Sequence, residues 1–146
     1  MVNQPTIDII IPNFNKAKYL NQCLNSITSQ TYKNWKIFLI DDNSQDSSKK
    51  ILKKFEEKNN IEIFYLNENK GPSFCRNLGL EKSNSELIAF MDSDDIWPED
   101  KLEKQINGML KNNFNFTYTD FYFFFTMMKQ KRKEQYYPIP TTIKTF

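Results

Sequence analysis

Asp92-Ser93-Asp94-Asp95 places three carboxylates within four residues, directly after the apolar run Leu87-Ile88-Ala89-Phe90-Met91. Like charges this close repel one another, so the cluster calls for a counter-charge or for hydrogen-bond donors. A hard divalent cation is one solution, because carboxylate oxygens are its preferred ligands. A turn or helix cap is the other, since short acidic motifs also serve there. A second acidic stretch, Asp41-Asp42-Asn43-Ser44, ends the apolar run Ile37-Phe38-Leu39-Ile40, and a polar segment, Asn13-Phe14-Asn15, follows Ile9-Ile10-Ile11-Pro12. The chain has no histidine, which removes Ser-His-Asp, Cys-His and His-metal chemistry and leaves carboxylates as candidate ligands and bases.

The elements that must position these groups read as alternating strands and helices. Residues 6–11 are rich in β-branched side chains and predict a buried strand that stops at Pro12, which cannot donate to a sheet ladder. Leu20, Cys23, Leu24 and Ile27 then recur at helical spacing, with Asn15 as the N-cap. Residues 36–40 predict a second strand, and Asp46 caps a helix that buries Ile51, Leu52 and Phe55. Residues 61–66 form a third strand. Pro72 opens a third helix at the position where its missing N–H is harmless, and that helix carries Arg76, Asn77 and Gly79. Residues 86–91 form a fourth strand, after which Trp97 and Pro98 start a helix with Leu102, Ile106, Met109 and Leu110 facing inward. Such alternation predicts an α/β fold, with right-handed crossovers and an open, mainly parallel sheet in the order 3-2-1-4. Residues 114–125 predict one or two further strands with a break near Asp120.

At 146 residues, with 39% hydrophobic and 26% charged side chains, the chain reads as a single globular domain rather than a disordered or fibrous one. A net charge of +2 does not point to a nucleic-acid partner, although residues 129–133 are locally basic. Cys23 and Cys75 lack metal or redox spacing and read as two buried free thiols, which fits a cytoplasmic protein. The aromatic run Phe121-Tyr122-Phe123-Phe124-Phe125 is far shorter than the roughly 20 residues that span a bilayer. With the basic residues behind it, that run offers peripheral contact with an anionic membrane at its inner face. A buried strand followed by a solvated turn is the competing reading.

In an open α/β sheet, ligands bind at the carboxyl ends of the strands, where the three polar stretches converge. Asp42 offers a carboxylate to a base-edge N–H, Phe14 a ring face for stacking, and Asp92 or Asp94 oxygens to a cation that neutralises a diphosphate. Together they describe a nucleoside diphosphate site. Asp41 reads as a turn residue, Asn77 as satisfying a buried turn, and Gly79 as permitting close helix-sheet packing. A phosphoacceptor domain would need its acid pair at the first strand, which here ends in Pro12-Asn13.

Four segments stand in an order and spacing that resembles family-2 glycosyltransferases over residues 6–112. They are Ile9-Ile10-Ile11-Pro12-Asn13-Phe14-Asn15, Asp41-Asp42-Asn43-Ser44-Gln45-Asp46-Ser47, Asn69-Lys70-Gly71 with Arg76-Asn77-Leu78-Gly79, and Asp92-Ser93-Asp94-Asp95. The resemblance implies the Rossmann-like A-type glycosyltransferase fold with helices on both faces of the sheet, residues 5–112 forming donor-binding units and residues 113–146 beginning an acceptor side. It implies a donor site of Pro12, Phe14, Asn15, Asp42, Arg76, Asp92 and Ser93, with Asp94, Asp92 and Asp95 holding Mn²⁺ or Mg²⁺. Asp42 would contact the base of a uridine diphosphate sugar, and Phe14 stands where the family often has Tyr. Arg76 would either contact the donor or tether the acids at the second strand end. The implied reaction is inverting transfer to a glycan or lipid-linked glycan acceptor, with a carboxylate base expected beyond Phe146. The chain is therefore expected to bind donor without efficient transfer, and to self-associate through exposed aromatics in residues 114–125. A binding module without turnover is the alternative reading.

Overall fold

Runs of β-branched and aromatic residues, separated by amphipathic segments, become four strand-helix units in the computed structural model, which describes residues 4–119. Their order is β1 (Ile7–Asn13), α1 (Ala17–Thr28), β2 (Trp35–Asp41), α2 (Ser48–Leu52), β3 (Ile61–Tyr65), α3 (Pro72–Lys82), β4 (Leu87–Phe90) and α4 (Lys101–Asn112). All the strand pairs are parallel, in the expected order β3-β2-β1-β4. The chain divides into two units, Met1–Glu103 and Lys104–Phe146, and the sheet lies in the first. In the second, Phe114 N donates to Met109 O at 3.0 Å, residues 114–119 form no strand, and Phe116 and Tyr118 are exposed. The expected strands beyond residue 119, the aromatic run and the basic cluster lie outside the described residues.

β1 and β2 are central strands, and their side chains are buried on both faces. On one face Ile10, Phe38, Ile40 and Cys75 form a core with Phe64, Leu66 and Leu78, beneath α3. On the other, Ile9, Ile11, Ile37 and Leu39 are fully inaccessible, as are Leu20, Cys23, Leu24 and Ile27 of α1. Gly79 sets the approach of α3 to the sheet: a Cβ there would stand 2.4 Å from Ile10 Cγ2 and 3.2 Å from Ile40 Cδ1. Its value is the missing side chain.

Four sequence expectations are corrected. β1 runs through Pro12 to Asn13 rather than stopping. Ile10 O accepts from Met91 N while Asn13 O accepts from Asp42 N, so even-numbered residues of β1 face β4 and odd-numbered ones face β2. Pairing with β4 has ended before Pro12, so its missing donor leaves no rung unmade. α1 begins at Ala17 with Lys16 at the N-cap position, so Asn15 does not cap it. The fourth helix begins at Lys101, not Trp97. Trp97 N donates to Ser26 Oγ (3.1 Å), Gln30 Nε2 to Pro98 O (2.6 Å), and Leu102 N to Gln30 Oε1 (3.0 Å), so the end of α1 holds residues 97–102 through side chains. Leu102 and Ile106 are buried, but Leu110 is exposed.

A carboxylate at the amino end of β1 sets where β4 begins. Asp8, 2% exposed, accepts from Ser83 Oγ (2.6 Å), Asn84 N (3.1 Å), Ser85 N (3.1 Å) and Ser85 Oγ (2.7 Å), all in the connection from α3 to β4. Burial alone would raise its pKa, but the hydrogen bonds from Ser83, Ser85 and Asn84 outweigh it and hold the carboxyl below its ordinary value.

A group depressed on folding stabilises above its unfolded pKa, and that stability is lost as pH falls through the folded one. Asp8→Asn is therefore expected to cost about 1–3 kcal/mol at neutral pH and to flatten the acid limb of stability. Urea unfolding between pH 7 and pH 3 measures both. Gly79→Ala should cost about 1–3 kcal/mol by overpacking against Ile10, read as a lower urea midpoint with an unchanged slope.

Candidate active site

The ladder continues just past the strand ends, so the polar segments leave the sheet along one edge. Asp42 N donates to Asn13 O (2.8 Å), Leu66 N to Asp41 O (2.9 Å) and Met91 N to Ile10 O (3.1 Å). At this edge the adjacent acids Asp41 and Asp42 serve different loops. Asp41 is inaccessible and accepts from Asn13 Nδ2 (2.7 Å) and Ser44 N (3.1 Å), the turn role expected of it. Asp42, 3% exposed, accepts from Lys70 N at 2.7 Å and Gly71 N at 2.8 Å, one through each oxygen. Gly71 takes φ +85°, a conformation that L side chains rarely adopt, to turn the loop into α3. The acid expected to contact a base thus also holds the loop entering α3. The Cys75 side chain also hydrogen-bonds this carboxylate, which lies almost wholly out of solvent.

The segment between β1 and α1 is bound to the one between β2 and α2. Asn15 has φ +53°, and its Oδ1 accepts from Gln45 N (2.7 Å) and Asp46 N (3.3 Å). Asp46 accepts in turn from Ala17 N (2.9 Å) and Ser48 N (2.8 Å), so one carboxylate serves the first turns of both α1 and α2. Burial pushes its pKa up, but the hydrogen bonds from Ser48 and Ala17 prevail and keep it below its ordinary value. Phe14 is 43% exposed rather than core, which leaves a ring face open. Pro12 is buried within β1.

In the acidic turn, Ser93 is buried, Asp92, Asp94 and Asp95 are exposed, and Asp95 N donates to Asp92 O at 3.0 Å. Cations from two elements meet the exposed acids. Arg76 donates to Asp92 Oδ1 at 2.5 Å, and Lys16 donates to Asp94 Oδ2 at 2.5 Å. The expected tether from Arg76 to the second strand end is therefore corrected to one at the fourth, because the side chain leaves α3 toward β4. Lys16 went unmarked in the sequence, where one cation among 20 lysines and arginines carries no signal of its contact. The hydrogen bond from Lys16 to Asp94 raises the lysine's pKa, partly offset by burial. Burial, then the charges of Asp92 and Asp94, raise that of Asp95.

No three acidic, cysteine or histidine side chains among the described residues could together hold a metal ion. The donor set does fit a cation held by one or two carboxylates, with substrate phosphate oxygens and water completing its shell, the usual arrangement for Mg²⁺. After burial, the charges of Asp92 and Asp94 raise the pKa of Asp95, and a bound cation would offset that part. The two thiols are free and buried, Cys23 pushed up to about 12 and Cys75 to about 11, chiefly by burial, so neither is a nucleophile at neutral pH. Asn77 is exposed, which corrects its expected place in a buried turn. A groove of about 380 Å³ runs beside the 69–71 loop, lined by Tyr65, Leu66, Lys70, Phe74 and Leu78 among others.

Comparison with known proteins adds kinship to this geometry. The family described as Glycosyl transferase family 2 matches residues 8–146. An uncharacterized glycosyltransferase of Haemophilus influenzae is 42% identical over 121 residues, covering 82% of this chain and 48% of that protein. The Escherichia coli protein named UDP-Glc:alpha-D-GlcNAc-diphosphoundecaprenol beta-1,3-glucosyltransferase WfgD is 36% identical over 115 residues, covering 79% and 45%. The chain thus spans about half the length of these relatives. Among solved structures, S. aureus TarS 1-349 in complex with UDP-GlcNAc superimposes with a TM-score of 0.69 at 28% identity, covering 74% of this chain and 32% of that one.

The double duty of Asp42 has a structural readout that needs no ligand. In Asp42→Ala the amides of Lys70 and Gly71 lose their acceptor, so their hydrogen-exchange protection should fall about tenfold while that of Ser44 N, bound to Asp41, is kept. Equal protection in both proteins would show that Asp42 does not hold the loop.

Proposed function

The chain belongs to glycosyltransferase family 2, and from that premise we propose that its strand-end site binds a nucleoside diphosphate sugar for metal-assisted, inverting transfer of the sugar to a glycan acceptor. The observation that carries this reading is the meeting of the Asp92–Asp95 turn with Arg76 and Lys16, at the sheet edge that also presents Asp42 and Phe14. Phe14 stacks on the base, and Asp42 accepts a base N–H. Asn15 binds the segment entering α1 to the one entering α2, Ser93 lies buried in the acidic turn, and Pro12 is buried next to the last residue of β1. Asp94, with Asp92 and Asp95 beside it, would hold Mn²⁺ or Mg²⁺, which when bound neutralises the diphosphate and stabilises it as a leaving group. Arg76 keeps Asp92 turned toward the site through their ion pair.

The relatives support the donor and acceptor classes. WfgD is named for a UDP-glucose donor and a diphosphoundecaprenol-linked acceptor, and TarS was crystallised with UDP-GlcNAc. We therefore favour a uridine diphosphate sugar and a lipid-linked or surface-glycan acceptor at the cytoplasmic face of a membrane. No helix among the described residues is long and apolar enough to cross that membrane. Deprotonating the acceptor hydroxyl requires a base. Glu103 is engaged by Thr31 Oγ1 (2.8 Å) and Asp100 is also partnered, so we do not assign the base to the start of α4.

Titration calorimetry with UDP, with and without Mn²⁺, tests the reading. Binding should need the divalent ion, and Asp94→Asn should weaken it about 10- to 100-fold, equivalent to roughly 1.5–3 kcal/mol for a charged contact. Undiminished, metal-dependent affinity in that variant would overturn the assignment of Asp94. A turnover assay with a lipid-linked acceptor then separates a transferase from a binding module.

A further inference from the structure

Lys16 is held by its backbone and aimed by its side chain. Asn15 N donates to Ser44 Oγ (3.0 Å) and Ala17 N to Asp46 Oδ2 (2.9 Å), so the residues on both sides of Lys16 are tied to the β2–α2 loop. From that fixed point the ammonium reaches across to Asp94 Oδ2 at 2.5 Å, with the two side chains 41% and 37% exposed. Asp92 is meanwhile engaged by Arg76. A divalent ion arriving alone at Asp94 competes with Lys16, and among the described residues no three acidic, cysteine or histidine side chains converge to hold it.

Resting on the donor-site reading above, we propose that Lys16 is an internal counter-cation which makes divalent-metal binding at Asp94 depend on the nucleotide. A diphosphate brings negative charge to which Lys16 can transfer, leaving Asp94 to the metal. The compact ammonium on a flexible four-carbon stem suits that exchange, while the planar fork of Arg76 suits a lasting grip on Asp92. Metal and nucleotide then raise each other's affinity by the same factor, as linkage requires.

Mn²⁺ binding to the full 146-residue chain, followed by electron paramagnetic resonance at low ionic strength with and without UDP, tests this. Lys16→Met is expected to bind Mn²⁺ alone about two- to fivefold more tightly, the scale of one exposed ion pair, and to lose about that same factor from the enhancement that UDP gives the wild type. Lys16→Arg keeps the charge and should bind Mn²⁺ alone no more tightly than the wild type does. Lys18→Met removes the same charge from a lysine that lies over the Tyr19 ring at 5.0 Å, and it should leave Mn²⁺ affinity nearly unchanged. Unchanged Mn²⁺ affinity in Lys16→Met, or an equal rise in Lys18→Met, overturns the proposal. Circular dichroism checks the fold, and Lys16→Gln replaces Lys16→Met in the same measurement if the latter unfolds. If UDP binds no variant with or without Mn²⁺, the donor-site reading and the coupling fall together, whereas the metal-only comparison still decides whether Lys16 competes for Asp94.

Discussion

Two neighbouring carboxylates at the end of β2 cannot share one partner, and the site follows from how they divide. Asp41 draws Asn13 and Ser44 together, while Asp42 draws in the backbone of Lys70 and Gly71. Because successive residues of an extended chain point to opposite sides, one Asp-Asp pair organises loops on both sides of the sheet edge. Burying two anions side by side is costly, and the cost is offset by donors that belong to the loops themselves. Removing either acid would free a loop as well as a charge.

The acidic turn after β4 follows a different rule. Its carboxylates are exposed, and side-chain cations meet them rather than backbone amides, Arg76 from α3 and Lys16 from the start of α1. Backbone donors make a carboxylate a fixed part of the frame, whereas exposed side-chain ion pairs are weak and exchangeable. Asp41 and Asp42 therefore suit holding a shape, and Asp92 to Asp95 suit receiving a ligand. The donor site proposed above would use both: loops that keep their form, and a charge cluster able to change partners.

Much of this was legible from side-chain types and spacing. The isoleucine run of β1, the helical spacing of Leu20, Cys23, Leu24 and Ile27, and Pro72 opening α3 each reflect a local preference that tertiary packing had no reason to override. The order β3-β2-β1-β4 agrees with the expected one, although right-handed crossovers alone fix the hand of each connection and not the order. Gly79 was legible too, since a glycine within a helix sacrifices helix propensity unless something must approach closely, here Ile10. The helix starts were less so. Asn15 has the composition of an N-cap, but its side chain accepts from Gln45 and Asp46 instead, and Asp46, far along the chain, serves Ala17. Trp97 and Pro98 look like a helix opening, yet Gln30 and Ser26 hold them in an extended lead-in.

Periodicity, strand composition and acids at strand ends determined the fold and the edge where the acids gather, because each is a local property written in consecutive residues. Which cation meets which acid was decided only in three dimensions. Arg76 pairs with Asp92 and Lys16 with Asp94, across 16 and 78 residues, since a long flexible side chain finds its partner by where the sheet and its helices deliver it. The roles of Asp41 and Asp42 were settled in the same way: identical in chemistry and adjacent in sequence, they differ because the alternation of an extended chain turns one toward Asn13 and the other toward Gly71.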